Sequence, residues 1–126
     1  IQRSIKSSVR NKRNTILKMI IKICGIQNKE TLLCCEKNNV NFFGMIFYQK
    51  SPRNISFKDA SFLQKISENL NINGVGVFVN HNLNEIDEII KNLKLRFVQL
   101  HGSEDETYIK KIKKTGVKII KSISVS

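Results

Sequence analysis

Phe42-Phe43-Gly44-Met45-Ile46-Phe47-Tyr48 is the longest apolar run in the chain, and it gives way to Lys50-Ser51-Pro52-Arg53. Its apolar residues are near-continuous rather than alternating, which is how a strand covered on both faces reads, as in a parallel sheet. Four more runs of the same kind flank it: Ile20-Ile21-Lys22-Ile23-Cys24, Val75-Gly76-Val77-Phe78-Val79, Phe97-Val98-Gln99-Leu100 and Val117-Lys118-Ile119-Ile120.

The stretches between these runs carry helix signals. Ser56 to Asp59 and Ser103 to Glu106 have capping-box spacing, a hydroxyl followed three residues later by an acid. Ile86, Ile89, Ile90 and Leu93 recur at helical intervals. Gly116 after Lys113-Lys114-Thr115 is a glycine stop behind a basic last turn. Asn39 is expected to stop the first helix, since Asn tolerates the left-handed conformation. From Met19 onward the order is β-α-β-α-β-α-β-α-β. Such repeats with short connections imply a parallel sheet with right-handed crossovers. That sheet is either open and doubly wound or part of a (β/α)8 barrel, and the pattern alone does not choose. Gly74-Val75-Gly76 leads into a strand instead of following one, which argues against a dinucleotide site.

The 126 residues suit one domain, and 40% hydrophobic with 25% charged residues suits a globular one. No apolar run approaches the ~18 residues of a membrane helix. A net charge of +12 raises nucleic-acid binding, but six basic residues and no acid fall within residues 1–18. A specific nucleic-acid surface is therefore not expected on the remainder, because charge alone supports only non-specific attraction. Residues 1–18 read as a basic N-terminal extension, either upstream translation ahead of Met19 as the expected initiator or a native segment without structure, with 19–126 the domain. Cys24, Cys34 and Cys35 have neither metal-ligand spacing nor the even count of a disulfide framework. A reducing cytoplasm is the expected compartment.

Reactive groups in either architecture belong at the C-terminal strand ends. Those ends hold Cys24-Gly25, Lys50-Ser51-Pro52-Arg53, Asn80 and Gln99-Leu100-His101-Gly102. A thiolate at Cys24, facing the start of the next helix, suits proton abstraction; the bland alternative is a small core residue. Arg53, stiffened by the chain's one proline, suits a carboxylate or phosphate, or is a solvated surface group. His101 suits acid–base or hydrogen-bonding work, although a structural role is commoner for a lone histidine; Gln99 shares its face by alternation. Cys34 and Cys35 fall mid-helix and read as structural.

Lys22-Ile23-Cys24-Gly25-Ile26, then Gly44-Met45-Ile46-Phe47 with Lys50-Ser51-Pro52-Arg53, then Gly76-Val77-Phe78-Val79-Asn80, then Val98-Gln99-Leu100-His101-Gly102 together resemble phosphoribosylanthranilate isomerase. All four segments stand in that family's order and spacing. The resemblance implies a (β/α)8 barrel and an Amadori rearrangement. In that reaction N-(5-phosphoribosyl)anthranilate becomes 1-(2-carboxyphenylamino)-1-deoxyribulose 5-phosphate, with no metal or organic cofactor. It also implies Cys24 as general base, Arg53 as the holder of the anthranilate carboxylate, and Gln99 and His101 as pocket-lining residues.

The resemblance ends with the fifth strand. The family's general acid, an aspartate on the sixth strand, and its phosphate loops near the last two strands have no counterpart in residues 19–126. An incomplete barrel of about five strands is expected, inactive alone and prone to self-association through open sheet edges. Asn54 stands where an aromatic residue often follows the arginine, and Asn39 where glycine is usual. The competing functions are another phosphosugar barrel enzyme, or a basic nucleic-acid-binding module carried by residues 1–18. Against the first, no carboxylate ends a strand.

Overall fold

Strands β2 (Ile16–Cys24), β3 (Phe42–Ile46), β4 (Asn73–Phe78), β5 (Phe97–Leu100) and β6 (Lys118–Lys121) pair side by side in chain order, all parallel. Helices α1 (Lys29–Lys37), α2 (Phe57–Ser67), α3 (Leu83–Leu93) and α4 (Glu106–Lys113) fill the crossovers. These come from a computed structural model, which describes residues 4–10 and 16–121, with side chains from Ile20 onward. The strand order decides between the two architectures. A doubly wound sheet reverses direction once and so carries helices on both faces. Here the order never reverses, and right-handed crossovers then put every helix on one face. The parallel strands form an arc of a (β/α)8 barrel with its helices outside.

The ladder aligns Cys24, Gly44, Val75, Phe97 and Lys118 across the arc. Alternation from that row separates two faces. The helix-facing set includes Phe43, Met45, Phe78, Val98 and Leu100, all fully buried, against Leu32, Leu63, Ile86 and Ile112 from the four helices. Burial of each such side chain contributes about 1.5–3 kcal/mol. On the inner face Phe42 and Phe97 meet edge to face at 4.9 Å, spanning the strand between them.

Helix ends follow the local chemistry. Asn39 takes φ 61° after α1, and Gly116 takes φ 91° after α4. Ser56 caps α2 by accepting the Asp59 N–H at 3.1 Å. The fourth helix differs from expectation. Its cap is Asp105, which accepts the Tyr108 N–H at 2.8 Å, rather than Ser103. Ser103 instead donates its N–H to Asn80 Oδ1 at 2.9 Å, and this tie to the loop after β4 takes it out of the capping position.

The N-terminal segment differs too. Within residues 1–18, expected to lack structure, β1 (Ser4–Arg10) pairs antiparallel with β2, from Ser4↔Ile23 to Arg10↔Ile16. Strand β2 itself begins before Met19, at Ile16. The physical reason lies in the backbone: the outer edge of β2 has a row of N–H and C=O groups, and an antiparallel neighbour satisfies them. The basic side chains of residues 1–18 lie outside the described residues. At the other end of the sheet, β6 has no partner on its far edge among the described residues. No helix among them is long and apolar enough to cross a membrane.

Candidate active site at the strand ends

Strand β2 stops at Cys24 because Gly25, at φ 84°, turns the chain. The Gly25 and Ile26 N–H groups both donate to Gly44 O, at 3.0 and 3.1 Å, and fix that turn. The thiol lies over Gly44, where a β-carbon would come within 2.9 Å of Sγ. Lys22, two residues back on the same inner face, is 4% exposed, and its Nζ donates to Cys24 Sγ at 2.5 Å.

Arg53 reaches the same place from the β3–α2 loop. Turns at Tyr48–Ser51 and Ser51–Asn54 shape that loop, and the Arg53 N–H donates to Ser51 Oγ at 3.2 Å. The side chain lies on the Gly25 backbone, with Cδ 2.6 Å from where a β-carbon would stand. Arg53 Nη1 is buried and has no acceptor among the described residues. An unpaired buried donor costs about 1–3 kcal/mol or more when charged, so the position favours an incoming anion.

Farther along the rim, Gln99 is buried on β5 between Val77 and Ile120, on the face that carries Cys24. His101 follows the strand end, is exposed, and donates its N–H to Phe78 O at 2.9 Å. Behind it stands a buried carboxylate. Glu104 accepts the Asn80 N–H at 2.8 Å, the Gly102 N–H at 2.9 Å and Lys121 Nζ at 3.0 Å. Burial alone would raise its pKa. The Asn80 and Glu104 backbone N–H groups and Lys121 outweigh that and hold the carboxyl below its ordinary range.

The second histidine is structural. His81 Nδ1 accepts the Val79 N–H at 3.2 Å, so the proton belongs on Nε2, which faces Phe47 O at 2.9 Å. Its ring meets Phe78 edge on at 5.0 Å.

Cys24 and Arg53 are thus brought together through Gly25, and Gln99 and His101 share their end of the sheet three strands along. Cys34 and Cys35 lie on α1 in the helical layer, the first exposed and the second buried. Burial, and then Cys34, push the Cys35 thiol up. Sequence reasoning overlooked Lys22, Glu104 and Lys121. A lysine inside the apolar run at 20–24 was the available signal for the first. The other two announce themselves only through contacts between distant segments.

The family model described as N-(5'phosphoribosyl)anthranilate (PRA) isomerase matches residues 21–126. The N-(5'-phosphoribosyl)anthranilate isomerase of Maridesulfovibrio salexigens is 38% identical over 101 residues, covering 80% of this chain and 47% of that protein. Among solved structures, phosphoribosyl anthranilate isomerase from Thermotoga maritima superposes with a TM-score of 0.78 at 36% identity, over 83% of this chain and 50% of that one. Another phosphoribosyl anthranilate isomerase, in complex with reduced 1-(o-carboxyphenylamino)-1-deoxyribulose 5-phosphate, gives 0.75 at 38% identity, over 83% and 53%. The chain spans about half the length of these relatives.

Proposed function

This chain belongs to the N-(5'-phosphoribosyl)anthranilate isomerase family, and on that premise we propose that it carries the base and the carboxylate clamp of an isomerase site of tryptophan biosynthesis. The reaction is the Amadori rearrangement of N-(5-phosphoribosyl)anthranilate to 1-(2-carboxyphenylamino)-1-deoxyribulose 5-phosphate, in the cytoplasm. An acid protonates the ribose ring oxygen, and the ring opens to a Schiff base. Cys24, as thiolate, takes the C2′ proton, and the electron pair moves toward the iminium to give the enolamine. Tautomerisation places a proton on C1′ and leaves the ketone at C2′. Arg53 holds the anthranilate carboxylate, and Gln99 and His101 line the pocket. The acid of this family, a sixth-strand aspartate, lies outside the five parallel strands described, and no metal or organic cofactor enters the scheme.

The observation that carries this reading is the buried, unpartnered Nη1 of Arg53 on the turn that holds Cys24. A guanidinium there suits a planar carboxylate, and it presents that substrate to the thiol rather than to bulk water. The ligand of the related solved complex, a carboxyphenylamino phosphosugar, belongs to the chemical class that this arrangement fits. Titration of the protein with that reduced product analogue tests the reading. Arg53→Ala should weaken binding by roughly tenfold or more, the worth of one lost charge-assisted pair. Equal affinity in the variant would refute the carboxylate assignment.

A further inference from the structure

Three strand ends converge on one carboxylate. Glu104 Oε2 accepts the Asn80 N–H beyond β4, while Oε1 accepts the Gly102 N–H beyond β5 and the Lys121 ammonium from β6. Lys121 Nζ also donates to Gly102 O at 2.5 Å, so the peptide units on both sides of Gly102 are held by the same ion pair. Asn80, at φ 51°, adds its side chain to the bundle by accepting the Ser103 N–H. Gly102 fits only because it lacks a side chain, since a β-carbon would come within 2.5 Å of Asn80 Oδ1. The Glu104 side chain is 1% exposed and Lys121 is 32% exposed, so water competes weakly for the carboxylate.

Burying a charge is costly unless it is paired and hydrogen-bonded. A fold that only needed to join β5 to α4 would gain nothing from a carboxylate here, and α4 already has its cap in Asp105. We propose that Glu104, with Lys121, is a positioning residue that fixes the loop between β5 and α4 and thereby sets where His101 stands on the rim. His101 immediately precedes the clamped Gly102, and its own N–H is tied to β4 through Phe78 O. Its backbone is therefore held on both sides. The contact of His101 with substrate rests on the isomerase reading; its placement by Glu104 does not.

The groups facing Glu104 are Lys121 from β6 and Tyr108 from α4, whose hydroxyl donates to His81 O at 2.8 Å. Tyr108 is pushed up to about 12 by burial, with Glu104 and Glu85 adding to it, so it stays neutral through the acid range. Of Glu104, Lys121 and Tyr108, only the Glu104 carboxyl changes charge as the solution is acidified.

Amide and histidine-ring NMR spectra of the intact chain provide the test. The Asn80 and Gly102 amide signals should shift together on acidification, with one shared midpoint below the ordinary glutamate range. Lys121→Met should move that midpoint upward. Glu104→Gln should remove the step from both amides and shift the His101 ring signal, while His81, held by Val79 and Phe47, keeps its own. A general loss of packing would disturb both histidines, and there are only two in the chain. Separate midpoints for the two amides, or an unmoved His101 in folded Glu104→Gln protein, would overturn the proposal. If the reduced product analogue fails to bind the unsubstituted protein, the isomerase reading is what suffers, and the spectra still judge the clamp.

Discussion

Arg53 crosses the backbone of Gly25 at a distance that leaves no room for a side chain: a β-carbon on residue 25 would meet Cδ at 2.6 Å and Nε at 3.1 Å. Gly25 is also at φ 84°, which other residues adopt only under strain. Gly25→Ala should therefore cost about 1–3 kcal/mol of stability and, in addition, push Arg53 off its station. Gly116→Ala makes a control, since Gly116 has φ 91° with nothing within 4 Å of the added carbon. Urea unfolding should register both substitutions, whereas affinity for the reduced product analogue should fall only in Gly25→Ala.

The two proposed roles beside that turn separate kinetically. In an active isomerase Cys24→Ser should lower kcat by roughly a hundredfold or more while KM changes little, because a hydroxyl yields its proton far less readily in a pocket of the same shape. Arg53→Ala should mainly raise KM, since it removes capture of the carboxylate and leaves the base in place. The reverse pattern would exchange the assignments.

Acid stability should depend on Glu104. Its folded pKa is lowered from 4.5, so the unfolded chain binds the proton more readily. The contribution is complete above about 4.5 and is lost as pH falls through the lower folded value. At the alkaline end Tyr108 has the opposite sign. With its folded pKa near 12 against an ordinary 10.0, its contribution is complete below 10 and is lost as pH rises toward 12. Urea midpoints measured against pH should flatten at the acid end in Glu104→Gln and at the alkaline end in Tyr108→Phe.

Features encoded by neighbours in sequence were legible. The five parallel strands, the Ser56 cap and the Asn39 and Gly116 stops each follow from a run of apolar residues or from one residue's conformational preference. Barrel against open sheet was a different kind of question, because strand order depends on pairing between distant segments and no local period records it. The same limit hid the Glu104 clamp. Asn80 and Glu104 are 24 residues apart, and the capping-box spacing at Ser103 offered a local reading that the long-range bonds override. Arg53 was visible as a candidate, but its buried Nη1 and its contact with Gly25 emerge only when two loops meet.

The strand β1 carries the last prediction. It covers the outer edge of β2, the edge to which the closing strand of a complete barrel would pair. Among the described residues the far edge of β6 stays unpaired, and Ile120 on the inner face is 36% exposed. A polypeptide of residues 19–126 would therefore present two open edges where the longer chain presents one, and open edges template pairing between copies. Sedimentation velocity should show residues 19–126 associating at concentrations where residues 1–126 remain less associated. Neither should restore growth without tryptophan to cells lacking their own isomerase. Cys24 can remove a proton, but the ring-opening acid and the phosphate loops of the family lie on later strands, and general acid–base catalysis needs both partners in place. Growth that depends on Cys24 would overturn this and mean that paired copies rebuild the missing half. Equal association of the two polypeptides would show instead that β1 does not shield the edge in solution.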